Sequence, residues 1–439
     1  METGYTENTT IASSLMDKGK LFLKAIIIFV MALGLWIPTY FIKEVISERE
    51  SRQREAINDI SSKWAGNQLV TGPVLQVPYM ESTTNDKGEN VWVRHNAFFM
   101  PDKMDINAVV IPEKRHRGIY QVVVYRSDIS ITGKFNPLRW NELKTKASDS
   151  ILWPEANLLF QVSDNVKGIN EDVYVNWNNN KVLFNPLPGE RGMKDALVAV
   201  IPFTAESVTG ENNFNLRLSL NGSEKLLFAS SARENRVDMR SEWKDPSFTG
   251  MKLPDERKVS DSGFIASWKY MNRSIPMVWK DQWNDLSQTS VGADLVIPVD
   301  GYDKTGRSVK YALLCIILTF AAFFLIESIY KKSLHLIQYA LAGLALVLFY
   351  TLLLSISEYL GFNLSYLLAG IATISLVAWY VGSIMKSSKL AIFISFVLTI
   401  VYGYIYSIIQ LQDYALLMGS IGLFIALGII MFFSRKLQW

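Results

Sequence analysis

Residues 297–332 read IPVDGYDKTGRSVKYALLCIILTFAAFFLIESIYKK, and the change of character inside this stretch decides the fold class. Up to Arg307 it has the polar make-up expected at the end of a water-soluble domain. From Val309 to Ile329 the only charges are Lys310 at the start and Glu327 near the far end. A helix crosses a hydrocarbon core with about 20 mostly apolar residues, because lipid offers no partners to backbone N–H and C=O groups. The stretch therefore reads as a junction where a large extracytoplasmic domain meets a membrane bundle.

Outward from that junction the composition divides. Over the whole chain 49% of residues are hydrophobic and 19% charged, an average that conceals a polar part before the junction and a part after it dominated by Leu, Ile, Ala, Phe and Tyr. The net charge of +3 is small and no basic stripe carries interleaved aromatics, which excludes nucleic acid as a partner. The single cysteine, Cys315, falls inside the apolar stretch, so the polar part has neither disulfides nor thiolate chemistry. Three histidines, His95, His116 and His335, lack metal-ligand spacing, and no metal or cofactor is expected.

Before the junction, residues 1–20 form a tail, and 21–42 are apolar apart from Lys24 and end in WIPTYFI, with Trp36 and Tyr40 suited to the headgroup level. This run is too long for a signal peptide and lacks a small-residue cleavage site, so it predicts an uncleaved anchor. Lys43–Trp64 has helical spacing in its latter half. It reads either as a helix docking by Ile57, Ile60 and Trp64 or as a solvated spacer.

Five further spans are expected within 309–433, at 309–329, 334–356, 362–385, 390–411 and 414–433. Basic residues occupy alternate loops: Lys331 and Lys332, then none at Glu358–Gly361, then Lys386 and Lys389, none at Gln412-Asp413, and Arg435 and Lys436 in the tail 434–439. With Lys18, Lys20 and Lys24 before the first span, the positive-inside tendency gives one topology for all six. It places both termini in the cytoplasm and residues 43–308 in the periplasm. Small residues, Gly343 with Ala340, Gly370 with Ala369 and Ala372, and Gly422 with Ala426, would let helices approach.

The outer region reads as β-rich. Strands are expected at Val74–Tyr79, Val91–Phe99, Ile119–Ile131, Val173–Trp177 and Lys181–Phe184, with turns at Asn85–Gly88 and Asn178–Asn180. Phe214, Leu216, Leu218 and Leu220 alternate into Asn221-Gly222, which predicts a hairpin back into Lys225–Phe228. Glu113–Arg117, with His116, reads as an exposed loop. The fold class is thus an α-helical polytopic membrane protein of six transmembrane helices with a large β-rich extracytoplasmic domain, a sheet or sandwich.

Chemistry is sparse. Ionisable groups within a membrane are functional suspects, and Glu327, His335 and Glu358 are the candidates. Glu327 and His335 would make a proton-handling pair, but an interfacial Glu327–Lys331 pair beside a solvated histidine is the plainer reading. Glu358 reads as an ordinary loop charge. S-x-x-K at Ser328–Lys331 and Ser383–Lys386 lacks an orienting base, and no G-x-S-x-G or P-loop is present, so no catalytic residue is assigned. The aromatic-rich stretch from Trp243 to Trp279 is the candidate interaction surface, through Trp243, Pro246, Phe248, Phe264, Trp268 and Trp279. A core corner accounts for the same density and is the favoured reading.

At this stretch the chain resembles the CreD family of bacterial inner-membrane proteins. The motifs are W-x-x-P-S-F-x-G-x-x-L-P at Trp243–Pro254, G-F-x-A-x-W at Gly263–Trp268, P-V-D-x-Y at Pro298–Tyr302 and R-S-x-K-Y-A at Arg307–Ala312. L-T-F-x-x-F-F-L-x-E at Leu318–Glu327, S-x-S-E at Ser355–Glu358 and G-P-V-L-x-V-P-Y at Gly72–Tyr79 complete the set. One departure is Lys244-Asp245, where the family pattern has a proline after the tryptophan. The resemblance implies an envelope-integrity protein of the inner membrane under stress-responsive control, and it supplies no reaction. The expectation is a non-enzymatic protein, embedded in the bilayer, whose outer domain engages an envelope protein, a lipid or the cell wall. The alternatives are a transporter or channel for a lipid or amphiphile, and an envelope-modifying enzyme with an acidic site hidden in the outer domain.

Overall fold

The protein is described by a computed structural model that covers residues 23–143, 150–187, 196–295, 297, 300–330, 334–411 and 414–434. The expected tails, the basic residues Lys18, Lys20, Lys331, Lys332, Arg435 and Lys436, and the loop Gln412-Asp413 lie outside the described residues. The chain divides into two units, Arg54–Pro298 and a second made of Met1–Gln53 with Val299–Trp439.

The first unit is a two-sheet β structure. Its eight-stranded sheet runs in the order Glu256–Ser260, Gly263–Met271, Glu234–Ser241, Lys103–Arg117, Tyr120–Phe135, Asn212–Ser223, Tyr174–Trp177, Asn180–Leu183. The ten-stranded sheet is built around Gln68–Thr84, which pairs with Lys225–Phe228, Asn157–Val162, Asn90–Phe99 and Ser150–Ile151. Period-two alternation sets the faces. Met104, Ile106, Ala108 and Val110 are buried while Lys103 before them and Asn107 between them are exposed, and Phe214, Leu216, Leu218 and Leu220 enter the same core. Leu75, Val77 and Tyr79 of the other sheet complete it, so the two inner faces share one core as in a sandwich. A smaller cluster of Val74, Phe98, Leu159, Trp279 and Leu286 covers the other face of the ten-stranded sheet.

Two local expectations are overturned. Asn221-Gly222 is not a hairpin turn: Asn212–Ser223 runs straight through it, and Lys225–Phe228 belongs to the other sheet, parallel to Gln68–Thr84. The Tyr125 ring occupies the space beside Gly222, where a Cβ would lie 2.3 Å from the Tyr125 hydroxyl, so the glycine serves close packing rather than a turn. The chain changes sheets one residue later, at Glu224, whose φ of 57° is in the left-handed region. Glu113–Arg117 is not a loop but the end of the strand Lys103–Arg117, which turns at Gly118 and pairs with Tyr120–Phe135 along its whole length. Its charged side chains hide a strand because all of them stand on the exposed rim.

The second unit is helical. Helix α1, Leu23–Trp64, has 42 residues, about 63 Å at 1.5 Å per residue, and its last turns belong to the β unit. There Ala56 is buried, Ile57, Ile60 and Trp64 are half-buried, and the Trp64 indole lies between the Arg115 and Arg126 guanidinium groups at 5.1 and 5.8 Å. The remaining helices are α2, Asp300–Lys310; α3, Ala312–Tyr330; α4, Leu336–Leu360; α5, Phe362–Met385; α6, Ser388–Gln410; and α7, Ala415–Ser434. Among the described residues four helices are long and apolar enough to cross a membrane, five if α2 and α3 count as one span bent by 45°. Ile337, Trp379, Ile392 and Phe396 are more than half exposed on their outer sides. Apolar exposure on this scale suits hydrocarbon rather than water. Gly343 lets α1 and α3 approach, since a Cβ there would lie 2.2 Å from Leu35 and 2.8 Å from Phe320.

Candidate functional site

The aromatic stretch places its rings inside the sandwich. Trp268, Phe264 and Trp243 are buried, and Phe248 packs edge-on against Phe264 and Trp268 at 5.6 and 5.8 Å. Lys252 accepts a hydrogen bond at its carbonyl from the Trp268 indole N–H, and the Asp245 carbonyl accepts one from Trp243. Trp279 is elsewhere, stacked on Phe98 at 5.4 Å in the smaller cluster, and Pro246 is half-exposed. The six residues do not converge on one groove. Two motifs, W-x-x-P-S-F and G-F-x-A-x-W, meet through Phe248, which is a packing role.

Two carboxylates of the helical unit are paired, Glu327 buried and Glu358 half-buried. Glu327 on α3 is 8% exposed, forms an ion pair with Lys24 of α1, and accepts a hydrogen bond from the Tyr339 hydroxyl at 3.0 Å. Lys24 also donates to the Leu334 carbonyl at 2.6 Å. His335 is exposed and starts α4, its backbone N–H held by the Gln338 side chain at 3.0 Å. Near the other end of α4, Glu358 lies 3.7 Å from Arg49 of α1 and accepts from Tyr302 at 3.1 Å. Sequence reasoning took Lys24 only as a topology marker and had no means of seeing Arg49. The signal for Lys24 was there, as a lone cation within an apolar run.

The β unit carries an open cleft of about 630 Å³ where three strands end side by side. Lys103, Asp105, Glu234, Arg236, Lys252, Lys269 and Arg273 surround a floor of Met104, Asn235, Tyr270 and Met271. The Tyr270 hydroxyl is buried without a hydrogen bond, and burial pushes its pKa above the usual phenol range. Lys252 holds the Asp255 carboxyl below its usual range. The cleft is at the start of the strand Lys103–Arg117, whose far end meets α1 through the Arg117–Asp59 ion pair, about 45 Å away at 3.3 Å per residue. Among the described residues no three His, Cys, Asp or Glu side chains converge as a metal site. His95 lies between Asp281 at 2.8 Å and Glu81 at 3.5 Å, and His116 is exposed.

A family model described as Inner membrane protein CreD matches residues 20–439. The chain belongs to the CreD family. It is 29% identical over 435 residues to the Inner membrane protein CreD of Escherichia coli (strain K12), covering 97% of this chain and 95% of that protein. Within this family frame, the Tyr302–Glu358 contact joins the motifs P-V-D-x-Y and S-x-S-E, and the L-T-F motif ends at the paired Glu327.

Proposed function

We propose that this chain is a multi-pass inner-membrane protein that maintains envelope integrity through a β sandwich held in the periplasm, without a reaction of its own. The full arrangement is six spans with both termini in the cytoplasm and residues 43–308 outside. The observation that carries the topology is the spacing of the two ion pairs on α1. Lys24 and Arg49 are 25 residues apart, about 37 Å along the helix, slightly more than the roughly 30 Å hydrocarbon core. Each charge then meets its carboxylate at an interface, and the chain beyond Arg49 leaves on the face opposite Lys24.

Within this reading the open cleft is where an envelope partner engages the β unit, because the aromatic rings of the Trp243–Trp279 stretch are mostly taken up by packing. Alkaline phosphatase fused after residue 180 should be active, and the same fusion after Lys386 inactive; the reverse pattern would refute the topology. Full-length protein crosslinked in stressed cells should capture an envelope component, and Lys269→Glu with Arg273→Glu should abolish that capture while the protein level stays unchanged. Envelope sensitivity that the double variant fully rescues would remove the cleft from the account.

A further inference from the structure

The open cleft of the β unit lies on the solvent face of the eight-stranded sheet. Strand pairing stands Asp105, Arg236 and Lys269 in one row across three strands, and Lys103, Glu234 and Met271 in the next. Met104 and Asn235, between the rows, turn to the buried face. Five bases against two acids line the space. Three of the bases are taken. Lys103 pairs with Asp105 at 3.2 Å, Lys252 with Asp255 at 2.5 Å, and Arg236 donates to both oxygens of Asp238 at 2.7 and 3.4 Å. Asp255 accepts from the backbone N–H of Lys269 at 2.7 Å, not from its ammonium. Among the described residues no carboxylate lies within ion-pair distance of the Lys269 ammonium or the Arg273 guanidinium. Glu234 is the one acid of the lining left beside them, so the unspent charge is positive.

The wall beside these cations is apolar. Lys252 donates to the Lys269 carbonyl at 2.8 Å, and its own carbonyl accepts from the Trp268 indole N–H at 3.1 Å, which pins residues 251–253 at the cleft. Met251 and Leu253, on either side of Lys252, are 46% and 63% exposed, and Met271 of the lining is 50% exposed. A single exposed apolar side chain needs no explanation, but three around two unpaired cations do. A soluble polyanion would use the cations alone, and an apolar peptide the apolar wall alone. Both features together match one molecule with an anionic head and a hydrocarbon chain.

We propose that the cleft binds an anionic amphiphile, a lipid with a phosphate head. Lys269 and Arg273 hold the head, and Met251, Leu253 and Met271 lie along the start of its chains. Ammonium and guanidinium groups make strong, charge-assisted hydrogen bonds to phosphate, and the flexible methionines adapt to chains of irregular shape. The volume of about 630 Å³ is that of a site for a small ligand. This inference rests on the reading of the cleft as the place of engagement and names the chemistry of the partner.

Full-length protein in phosphatidylcholine nanodiscs is titrated with dihexanoyl phosphatidic acid, glycerol phosphate and dihexanoyl phosphatidylcholine, with empty nanodiscs as the blank. Affinity is read by calorimetry, and location by protection of Lys269 from acetylation relative to Lys258 on the neighbouring strand. Phosphatidic acid should protect Lys269 and bind at least about tenfold more tightly than glycerol phosphate, the factor that two buried methylenes supply. Lys269→Gln with Arg273→Gln should weaken it at least about tenfold. Leu253→Ser with Met271→Ser, both on the surface, should reduce it to the affinity of glycerol phosphate. Equal affinity for glycerol phosphate and the lipid marks a site for the head alone and overturns the proposal. Binding that the glutamine variant leaves unchanged, or equally tight binding of dihexanoyl phosphatidylcholine, also overturns it. If no probe binds while crosslinked capture still needs Lys269 and Arg273, the ligand class falls and the cleft stands as the place of engagement. If the lipid binds while capture persists in Lys269→Glu with Arg273→Glu, the lipid site stands and its part in envelope integrity falls.

Discussion

Replacing Glu327 by Leu tests whether the inner end of α1 is held by a buried ion pair. The Lys24 and Glu327 side chains are 21% and 9% exposed, so the pair is not the solvated surface kind that contributes about 0–1 kcal/mol. Removing the carboxylate leaves the Lys24 ammonium, among the described residues, with the Leu334 carbonyl alone and deprives the Tyr339 hydroxyl of its acceptor. Breaking one side of a buried pair costs about 3–5 kcal/mol, and the remaining carbonyl contact favours the lower figure, about 3 kcal/mol. Lys24→Met should cost a similar amount, by leaving an unpaired carboxylate. The double variant removes both charges and should cost no more than either single change, a coupling of about 3 kcal/mol. Cys315 is buried in the bundle, so its labelling by a bulky maleimide during a dodecyl sulfate titration reports unfolding of that unit. Two single costs below about 1 kcal/mol, or a double variant equal to their sum within about 0.5 kcal/mol, would refute the pair as a fastening.

Other expectations can be checked on the same protein. Trp64→Ala should destabilise the β unit by about 1–2 kcal/mol through loss of two stacked guanidinium groups, with Trp64→Phe recovering most of it, as read from urea unfolding by tryptophan fluorescence. Trp268→Ala should cost about 3–5 kcal/mol, as for any fully buried large ring, and lower the yield of folded protein. Glu224 has its pKa raised by burial first and by the Asp294 charge second, so its contribution is intact below the usual carboxylate range and is lost as pH rises through the raised value. Glu224→Gln should therefore raise Tm at pH 7 and leave it unchanged at pH 4, whereas a Tm equal to the parent at both pH values would contradict this. Gly343→Val should cost about 1–3 kcal/mol by forcing Leu35 and Phe320 apart, measured by the Cys315 labelling titration.

Much of the architecture is legible in the residues because long apolar runs and period-two alternation are strong local signals. The strand pair around Asn85–Gly88 and the hairpin at Asn178-Asn179 stand where turn chemistry places them, the two asparagines at φ 45° and 73°. Asn221-Gly222 misled because the same dipeptide serves a turn or a close contact, and only the Tyr125 ring, nearly a hundred residues away, decides which. The helix break at Tyr311 is equally silent in sequence, since polar Thr305 and Ser308 before an apolar run look like the edge of a soluble domain. The partners of Glu327 and Glu358 come from α1, hundreds of residues distant, and no pattern of spacing could name them. The burial of the aromatic stretch, by contrast, follows from ring size alone once a two-sheet core exists to take it.

The order in which the strands pair has a bearing on how this protein is made. Gln68–Val70 pairs with Leu226–Phe228, and Lys225–Phe228 in turn pairs with Val291–Asp294. An early strand of the sandwich thus waits for a neighbour that emerges from the ribosome 158 residues later (Gln68 to Leu226), on the order of eight to thirty seconds at ordinary synthesis rates. Throughout that interval an apolar strand edge is open to the wrong partner. Biogenesis, more than the finished molecule, is where a holding chaperone would matter most, and a slowed ribosome would lengthen the hazard in proportion.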